Sequence, residues 1–359
     1  MKYYDLCIIG GGASGLAAAS SLDEHIKACI LEKNKVPGRK LMATGGGRCN
    51  ITNEACCGKE ITLDFFNSLG MELYSDDEGR YYPYSNQASD VVKLLTEAAE
   101  KRYTDIVTGV CASSVKYEDG SFIISCGSTK IRSRKLLIAT GGKASPVFGT
   151  TGDGYRFAKD AGHTVQRLYP ILTGIVCGDF EDIKGVRAKG MAGLFYDGEP
   201  VAEETGEIQF TADGVSGICI FNLTPHIRAF GGESISDALK RYELVLDMAP
   251  DFDEDTIMKR STSFGILTEK LSERIPVSQL KHWRLPVRSI KGWKNAQCTG
   301  GGVMTDEINM DTMESRIVPG LYFAGEILDL HGPCGGYNLQ YAWETGIRAA
   351  KALNKVLKK

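Results

Sequence analysis

The first thirty-two residues contain two apolar runs separated by glycines and alanines. The run at 4–9 leads into Gly10-Gly11-Gly12-Ala13-Ser14-Gly15, and an alanine-rich stretch, 16–19, follows. A second run, 28–31, ends at Glu32. Continuous apolar runs predict buried strands, and a glycine turn between a strand and a helix is typical of a dinucleotide-binding β-α-β unit. The pattern therefore predicts such a unit at the start of the chain.

Each polar or glycine position of this unit has an expected role. Gly10 permits the tight turn, Gly12 lets the backbone approach a diphosphate, and Gly15 lets the helix pack close to the strand. Glu32 stands where a carboxylate accepts hydrogen bonds from ribose hydroxyls. Three glycines in a chain that holds 42 could also form a turn without a ligand. The order of strand, turn, helix and acidic strand end favours a pyrophosphate site.

The hydrophobic pattern continues in two different styles. The first style predicts an amphipathic helix at 89–102, a hairpin at 113–117 and 122–126, a buried strand at 135–140, helices at 155–161 and 339–355, and a strand at 320–324. The second style, short strands with glycine turns and then a helical stretch, occupies the middle of the chain. We expect a discontinuous domain, 1–170 plus 296–359, with an insert at 171–295 that is β-rich over 171–225 and helical over 251–283.

The predicted fold class is therefore α/β, with a three-layer Rossmann-like domain built on a parallel sheet. The inserted segment is expected to form a β-barrel-like part and a small helical part. A chain of 359 residues is longer than one hydrophobic core usually organises, which agrees with two domains.

Composition narrows the choice of partners. The net charge is -3 and no basic stripe is present, which argues against a nucleic acid or an anionic membrane surface as partner. The first apolar run begins too early for a secretory leader, and no run is long enough to span a bilayer. The 11 cysteines are scattered without a disulfide framework. A reducing cytoplasm is the expected location.

Further glycine clusters suggest a flavin rather than a nicotinamide dinucleotide. Residues 44–50, Thr-Gly-Gly-Gly-Arg-Cys-Asn, have no strand pattern, and glycines there could pack against a flat ligand or form a flexible loop. Gly325-Glu326 follows a strand, and residues 335–338 open a helix. A helix N-terminus favours the negative charge that develops on a reduced flavin pyrimidine. An enzyme that binds only NAD has no need of this second anion site.

These segments together resemble one family, the BaiN-type (YhiN-like) NAD(P)/FAD-dependent oxidoreductases, which include aminoacetone oxidases. The matching stretches are Gly38-Arg39-Lys40-Leu41, residues 44–50 with Thr52-Asn53, Gly79-Arg80 with Pro83 and Ser85, Thr151 to Tyr155, Thr312 to Ser315, Gly320 to Glu326, and Gly335 to Asn338. The middle of the chain departs from the pattern, because Ile218 stands where the family usually has proline and the insert is shorter.

The resemblance implies FAD as cofactor and a small-molecule substrate. The first implied activity is hydride transfer from NAD(P)H via FAD to a C=C or carbonyl bond of a small apolar molecule. The sequence shows no second complete dinucleotide unit, so NAD(P)H is expected to dock transiently against the flavin. The second is oxidation of a small amine such as aminoacetone, with oxygen as acceptor and hydrogen peroxide as product. A third reading, a flavin-dependent RNA-modifying protein, would need a basic face, against which the net charge of -3 argues.

The expected site residues follow from the turn and from the resemblance. The cofactor neighbours are Gly10, Gly12, Ala13, Ser14, Gly15, Glu32, Lys33, Arg39, Lys40, Thr44, Gly46, Gly47, Arg48, Cys49, Asn50, Thr140, Gly141, Gly325, Glu326, Gly336, Asn338 and Leu339. The candidate proton donors are His331 and Tyr337, with Tyr82 and Tyr84 as further candidates and a structural role equally open for His331. No Cys-x-x-Cys or paired Cys/His spacing is present, so we expect neither a redox dithiol nor a metal site.

Overall fold

A computed structural model describes residues 1–229 and 232–358. It divides into two compact units, Met1–Tyr169 with Cys298–Lys359, and Pro170–Gln297. We propose that these units are the two domains that the sequence predicts.

Ten α-helices and twenty-one strands are assigned in the described residues. The helices α1 to α10 are Ala13–Ser20, Arg39–Met42, Lys59–Ser68, Ala88–Lys101, Asp153–Asp160, Ile218–Leu223, Ile235–Leu239, Glu254–Met258, Glu269–Arg274 and Tyr337–Val356. The strands β1 to β21 are Lys2–Ile9, Ala28–Glu32, Thr52–Asn53, Leu73–Ser75, Arg80–Pro83, Asp105–Thr108, Ser114–Glu118, Ser121–Cys126, Thr129–Ile138, Tyr169–Ile171, Ile175–Val176, Arg187–Tyr196, Glu199–Thr211, Gly214–Ser216, Tyr242–Asp247, Trp283–Pro286, Ser289–Ile290, Cys298–Gly300, Ile308–Asn309, Glu314–Ser315 and Leu321–Phe323. Short 3-10 turns lie at Thr44–Gly47, Pro146–Phe148, Glu181–Ile183, Thr224–His226, Val277–Gln279 and Thr305–Glu307.

The first unit is built on a parallel sheet with strand order β21-β9-β1-β2-β6. Strand β1 lies at its centre, and Cys7 pairs with Cys29 of β2 and Leu136 of β9. Successive residues Leu6 to Ile9 point to opposite faces, and all of them are at most 5% exposed. Both faces of the sheet are therefore covered, as a three-layer fold requires. The predicted α/β fold class is confirmed.

Helices α1, α4 and α10 pack together beside this sheet. Helix α4 buries Val91, Leu95 and Ala99 on one face, as its amphipathic pattern predicts. Helices α1 and α10 approach closely at Gly346, where a β-carbon would overlap the carbonyl oxygen of Ser14. This close packing holds the N-terminal turn against the C-terminal helix.

The second unit is an antiparallel sheet with the order β16-β15-β12-β13-β14-β11-β17. The two ends of this path, β16 and β17, are successive parts of one extended segment, 283–290, so the sheet closes on itself in a barrel-like manner. Its core contains Leu194, Phe210 and Leu244. The stretch 251–283, expected to be helical, contains only α8 and α9 as α-helices, joined by ten non-α residues. Its apolar spacing fills a core without sustaining a long helix.

A buried histidine joins the C-terminal hairpin of the first unit to the loop after α5. The Oγ of Ser315 accepts hydrogen bonds from the backbone N–H groups of Ile317 and Val318, at 3.0 and 2.8 Å. Its hydroxyl proton is therefore left to donate to Nε2 of His163, at 2.8 Å. Because Nε2 accepts, the single N–H proton of the ring is on Nδ1, which donates to Oε2 of Glu307 at 3.0 Å. The arrangement requires a neutral imidazole.

We expect this histidine to make the fold less stable in mild acid. Burial lowers the pKa of His163. The carboxylate of Glu307, which faces the ring, raises that pKa, but the effect of burial is larger. The unfolded chain therefore binds a proton more readily than the folded one, so stability is lost as the pH falls through the ordinary histidine range of about 6.5. Urea unfolding at about pH 7.5 and pH 5.5 measures this loss, which should be smaller in His163→Gln. An equal loss in both proteins would contradict the assignment.

Candidate cofactor site

The turn between β1 and α1 is shaped by three glycines with different surroundings. Gly10 has a φ of +109°, and a β-carbon there would overlap the carbonyl oxygen of Ala139. A β-carbon on Gly15 would overlap the carbonyl oxygen of Gly10, so helix α1 can lie against the turn only because residue 15 has no side chain. Apart from Gly12 and its chain neighbours, no atom of the described residues lies within 4 Å of the β-carbon position of Gly12. The space beside Gly12, at the start of α1, is therefore open to a ligand.

Glu32 supports this turn with its carboxylate. The residue is 7% exposed, and its Oε2 accepts a hydrogen bond from the N–H of Gly11 at 2.9 Å. Its Oε1 accepts from the N–H and the Nδ2 of Asn34, both at 2.7 Å. Glu32 thus holds the turn and the following loop in place, a role that its sequence position did not suggest. A carboxylate has further lone pairs for a ribose hydroxyl.

The cations that follow Glu32 are bound to other parts of the protein. Nζ of Lys33 contacts Asp153 and Thr151, both at 2.6 Å. The guanidinium group of Arg39 donates to Oδ1 of Asn34 at 3.0 Å and to the carbonyl of Val147 at 3.1 Å. Both side chains therefore fasten the 33–39 loop to the 147–153 segment. Their predicted contact with the cofactor stays a prediction.

The glycine loop at 44–47 is open on one side. Gly45, Gly46 and Gly47 have φ values of +58°, +66° and +90°, which favour glycine over any other residue. In the part of the chain that the structure describes, no atom beyond the adjoining residues lies within 4 Å of the β-carbon positions of Gly46 and Gly47. Thr44 closes the loop from behind, since its Oγ1 donates to the carbonyl of Leu41 at 2.7 Å. The loop offers backbone rather than side chains to a flat ligand.

Two predicted neighbours on this loop point into the protein. Cys49 is fully buried, and burial raises the pKa of its thiol to about 12, so it remains protonated. Asn50 is 9% exposed, and its Oδ1 lies 2.8 Å from the β-carbon position of Gly336. Because the whole of Cys49 is buried, its predicted contact with the cofactor stays a prediction.

An ion pair connects the loop to the end of β21. Nζ of Lys40 lies 2.6 Å from Oε2 of Glu326, and the two side chains are 24% and 20% exposed. Burial lowers the pKa of Lys40, but Glu326 outweighs it and the pKa stands above its ordinary value. Oε1 of Glu326 accepts from the N–H of Thr299 at 2.9 Å. The hydroxyl oxygen of Thr299 in turn accepts from the N–H of Lys143 at 2.8 Å.

Thr299 therefore organises the segment after β9, and it is not among the site residues predicted from the sequence. Tyr155 is a second missed residue, since its hydroxyl donates to the carbonyl of Glu326 at 3.2 Å. Thr299 has no sequence signal of its own, whereas Tyr155 ends one of the stretches that carry the family resemblance. Thr140 and Gly141 lie on the same segment, and the β-carbon position of Gly141 is open.

The first turn of α1 contacts the end of β21. Oγ of Ser14 donates to the carbonyl of Ala324 at 3.2 Å, and a β-carbon on Gly325 would lie 2.9 Å from the Cβ of Ser14. The N–H of Gly325 donates to Oγ1 of Thr345 at 2.9 Å. Ala13 is half-buried and packs on the same core. The turn, β21 and α10 thus meet at one place.

The start of α10 is held by Asn338. Its Oδ1 accepts from the N–H of Gly332 at 3.0 Å, and its Nδ2 donates to the carbonyl of the same residue at 2.9 Å. Gly336 caps the helix with a φ of +106° and leaves no room for a β-carbon beside Thr52. Leu339 packs against the core. Asn338 therefore shapes the loop that precedes the helix, and a direct cofactor contact of its side chain stays a prediction.

The two candidate proton donors flank this loop. Tyr337 is the first residue of α10, and burial raises the pKa of its phenol. His331 lies six residues earlier and is half-buried. The structure thus places both in the segment that opens α10, and their catalytic role remains a prediction.

The residues present fit FAD. The backbone is open at four glycines, Gly12, Gly46, Gly47 and Gly141. The hydrogen bond between Gly38 and Gly11 and the ion pair of Lys40 and Glu326 connect the loops that contain them. Helix α1 has no acidic residue in its first turn, so its N-terminus suits an anion. These features provide a glycine-lined surface, and a pyrophosphate group at the start of α1 stays a prediction.

None of the 11 cysteines, which all lie in the described residues, is in a disulfide bond. In residues 1–229 and 232–358, no group of three or more His, Cys, Asp or Glu side chains could hold a metal ion. Within the same residues, no helix has the length and apolarity needed to cross a membrane.

Comparisons with known proteins identify the family to which this chain belongs. The family model "HI0933-like protein Rossmann domain" matches residues 58–352. A 3-dehydro-bile acid delta(4,6)-reductase of Clostridium scindens is 35% identical, over 96% of this chain and 98% of the relative. A ribosomal RNA dihydrouridine synthase of Escherichia coli is 26% identical, over 98% of each chain.

Two solved structures share the fold. The 3-ketosteroid-delta4-(5alpha)-dehydrogenase of Rhodococcus jostii has a TM-score of 0.55 at 12% identity, covering 98% of this chain and 97% of that one. A flavocytochrome c3 fumarate reductase has a TM-score of 0.51 at 16% identity, covering 99% of this chain and 79% of that one. The resemblance noted in the sequence is confirmed: the chain belongs to the HI0933-like family and is an FAD-dependent oxidoreductase.

Proposed function

We propose that the protein reduces a carbon–carbon double bond conjugated to a carbonyl group in a small apolar molecule, with NAD(P)H as electron source. The observation that carries this proposal is the 35% identity to the bile acid reductase over nearly the full length of both chains. That relative's name describes a ring ketone and the double bonds that are reduced. A conjugated ketone activates the double bond toward hydride.

The chain's own residues supply what such a reaction needs beyond the cofactor. Bound FAD supplies the hydride chemistry, so the protein binds, orients and delivers a proton. A phenol is protonated at neutral pH, so the side chain of Tyr337 has a proton to donate. Tyr337 is also held at the start of α10, whose N-terminus favours nearby negative charge. These features support Tyr337 ahead of His331 as the donor.

Two other functions, amine oxidation and RNA modification, are the alternatives to this one. An amine oxidase would need oxygen in place of nicotinamide and would release hydrogen peroxide. The RNA reading gains support from the relatives named ribosomal RNA dihydrouridine synthase, at 26% identity. The bile acid reductase is the more similar relative, and the net charge of -3 gives no general attraction to RNA. We therefore favour the small-molecule reductase.

The first experiment is an anaerobic absorbance spectrum of the purified protein before and after adding NADH, and separately NADPH. We expect the flavin absorbance to bleach with one of the two. Addition of a 3-oxo-Δ4 steroid should then restore the oxidised spectrum and yield the saturated ketone. Restoration by an RNA transcript instead would favour the RNA reading. A flavin that neither nucleotide reduces, but that an amine reduces with release of peroxide in air, would overturn the proposal.

A further inference from the structure

Arg48, at the end of the glycine loop, has its guanidinium group stacked on an aromatic ring. Its Cζ lies 4.5 Å from the centroid of the Tyr82 ring, and its Nε–H donates to the carbonyl of Gly45 at 3.3 Å. The residue is exposed while Tyr82 is 2% exposed. Stacking on a fixed ring orients the planar group, and its other N–H groups remain for an external acceptor.

Lys59 and Arg80 have carboxylate partners, whereas Arg48 has none among the residues that the structure describes. Lys59 pairs with Glu54, and Arg80 pairs with Asp76 at 2.8 Å. In the part of the chain that the structure describes, no carboxylate oxygen lies within 4.0 Å of the Arg48 guanidinium. An oriented guanidinium without an internal counter-ion is suited to bind an anion from outside, preferably a planar carboxylate.

Tyrosines extend the aromatic surface next to Arg48. The ring of Tyr74 lies 6.0 Å from that of Tyr82 and 6.2 Å from that of Tyr84, and Tyr84 is 76% exposed. An exposed ring of this size is suited to contact the apolar part of a ligand. The cluster of Arg48, Tyr74, Tyr82 and Tyr84 thus offers an anion receptor joined to an apolar surface.

The position of this cluster favours substrate over the cofactor pyrophosphate. Arg48 is the last residue of the segment 38–48. This segment begins beside the β1–α1 turn, where the N–H of Gly38 donates to the carbonyl of Gly11 at 2.8 Å. It ends on the small β3-β5-β4 sheet, where Gly45 packs on Tyr82. In chain order, Arg48 is therefore at the end of residues 38–48 that is remote from the β1–α1 turn and next to the open glycines Gly46 and Gly47. We propose that Arg48 binds the carboxylate of an apolar, ring-containing substrate, an inference that rests on the proposed function.

The test compares two ligands that differ in one charge. A 3-oxo-Δ4 steroid whose side chain ends in a carboxylate, and the methyl ester of the same steroid, are titrated into the oxidised FAD-loaded protein while the flavin spectrum is followed. The acid should bind the wild-type protein roughly tenfold or more tightly than the ester, the usual effect of a charge-assisted hydrogen bond. In Arg48→Met the preference should disappear while the FAD content stays unchanged.

Two further variants exclude simpler explanations. Arg48→Lys keeps the charge but loses the planar stacked group, so part of the preference should remain. Lys116→Met removes one exposed positive charge on β7 and should leave the preference intact. This control separates a local contact from a general effect of net charge.

The possible outcomes separate this inference from the proposed function. An acid preference that survives in Arg48→Met would overturn the inference, as would loss of FAD with an unchanged preference. If the preference is lost as expected but the reduced protein reduces neither steroid, the anion site stands and the proposed function fails. If neither steroid perturbs the flavin spectrum, both are wrong.

Discussion

Gly15→Ala is expected to abolish FAD binding by disrupting the β1–α1 turn. A β-carbon at residue 15 would overlap the carbonyl oxygen of Gly10, which is backbone and cannot rotate away. The helix would have to move off the turn, although it also packs closely on α10 near Gly346. Because the neighbouring elements resist this movement, we expect a loss of about 3 kcal/mol or more in the free energy of unfolding, at the upper end for overpacked cores. Urea unfolding of the apoprotein measures it.

Gly12→Ala is the matched control for this variant. Gly12 has φ and ψ values of -86° and -166°, which alanine adopts without strain, and the space around its β-carbon position is open. The apoprotein should therefore keep its stability within about 0.5 kcal/mol. If the pyrophosphate lies against Gly12, the added methyl group should still weaken FAD binding about 10- to 100-fold, as an overpacked contact does.

The pair separates damage to the fold from damage to the site. Equal FAD affinity in Gly12→Ala and the wild type would place the cofactor elsewhere. Wild-type stability of the Gly15→Ala apoprotein would contradict the close packing of α1 on the turn. FAD affinity is best measured by titrating the apoprotein and following the quenching of flavin fluorescence.

The β-α-β unit was predictable because its signals are local in sequence. Gly10, Gly12 and Gly15 are required by turn geometry and by close packing within one short segment, and a buried strand shows itself as an apolar run. The closing helix and the amphipathic α4 follow from periodicity in the same way. Such features depend on residues that lie a few positions apart, and the sequence shows them directly.

The partners of the site's charged and polar side chains were not predictable. Lys33 pairs with Asp153, and Lys40 pairs with Glu326, across 120 and 286 positions of the chain. A single sequence does not show which distant residues are in contact. From the sequence alone, both lysines are therefore expected to be available to the cofactor. The 251–283 stretch shows the same limit in another form, because apolar spacing alone does not tell a helix from a loop that fills a core.

Breaking the ion pair of Lys40 and Glu326 is expected to lower the free energy of unfolding. Lys40→Met should leave Glu326 with a poorly solvated charge, and Glu326→Gln should do the same for Lys40. The glutamine can still accept the Thr299 hydrogen bond, so this variant removes the charge and little else. Since the side chains keep 24% and 20% exposure, we expect each single variant to lose about 2 kcal/mol, below the range for fully buried pairs.

A double-mutant cycle tests whether the two losses have one origin. The double variant should lose clearly less than the sum of the single losses, because each charge is harmful only when its partner is missing. The pair of Lys33 and Asp153, with 30% and 38% exposure, is the control, and its coupling energy should be below about 1 kcal/mol. Equal coupling in the two cycles would show that burial does not strengthen the Lys40–Glu326 pair. A larger coupling for Lys40–Glu326 would mean that this ion pair, rather than a cofactor phosphate, determines where the Lys40 ammonium group lies.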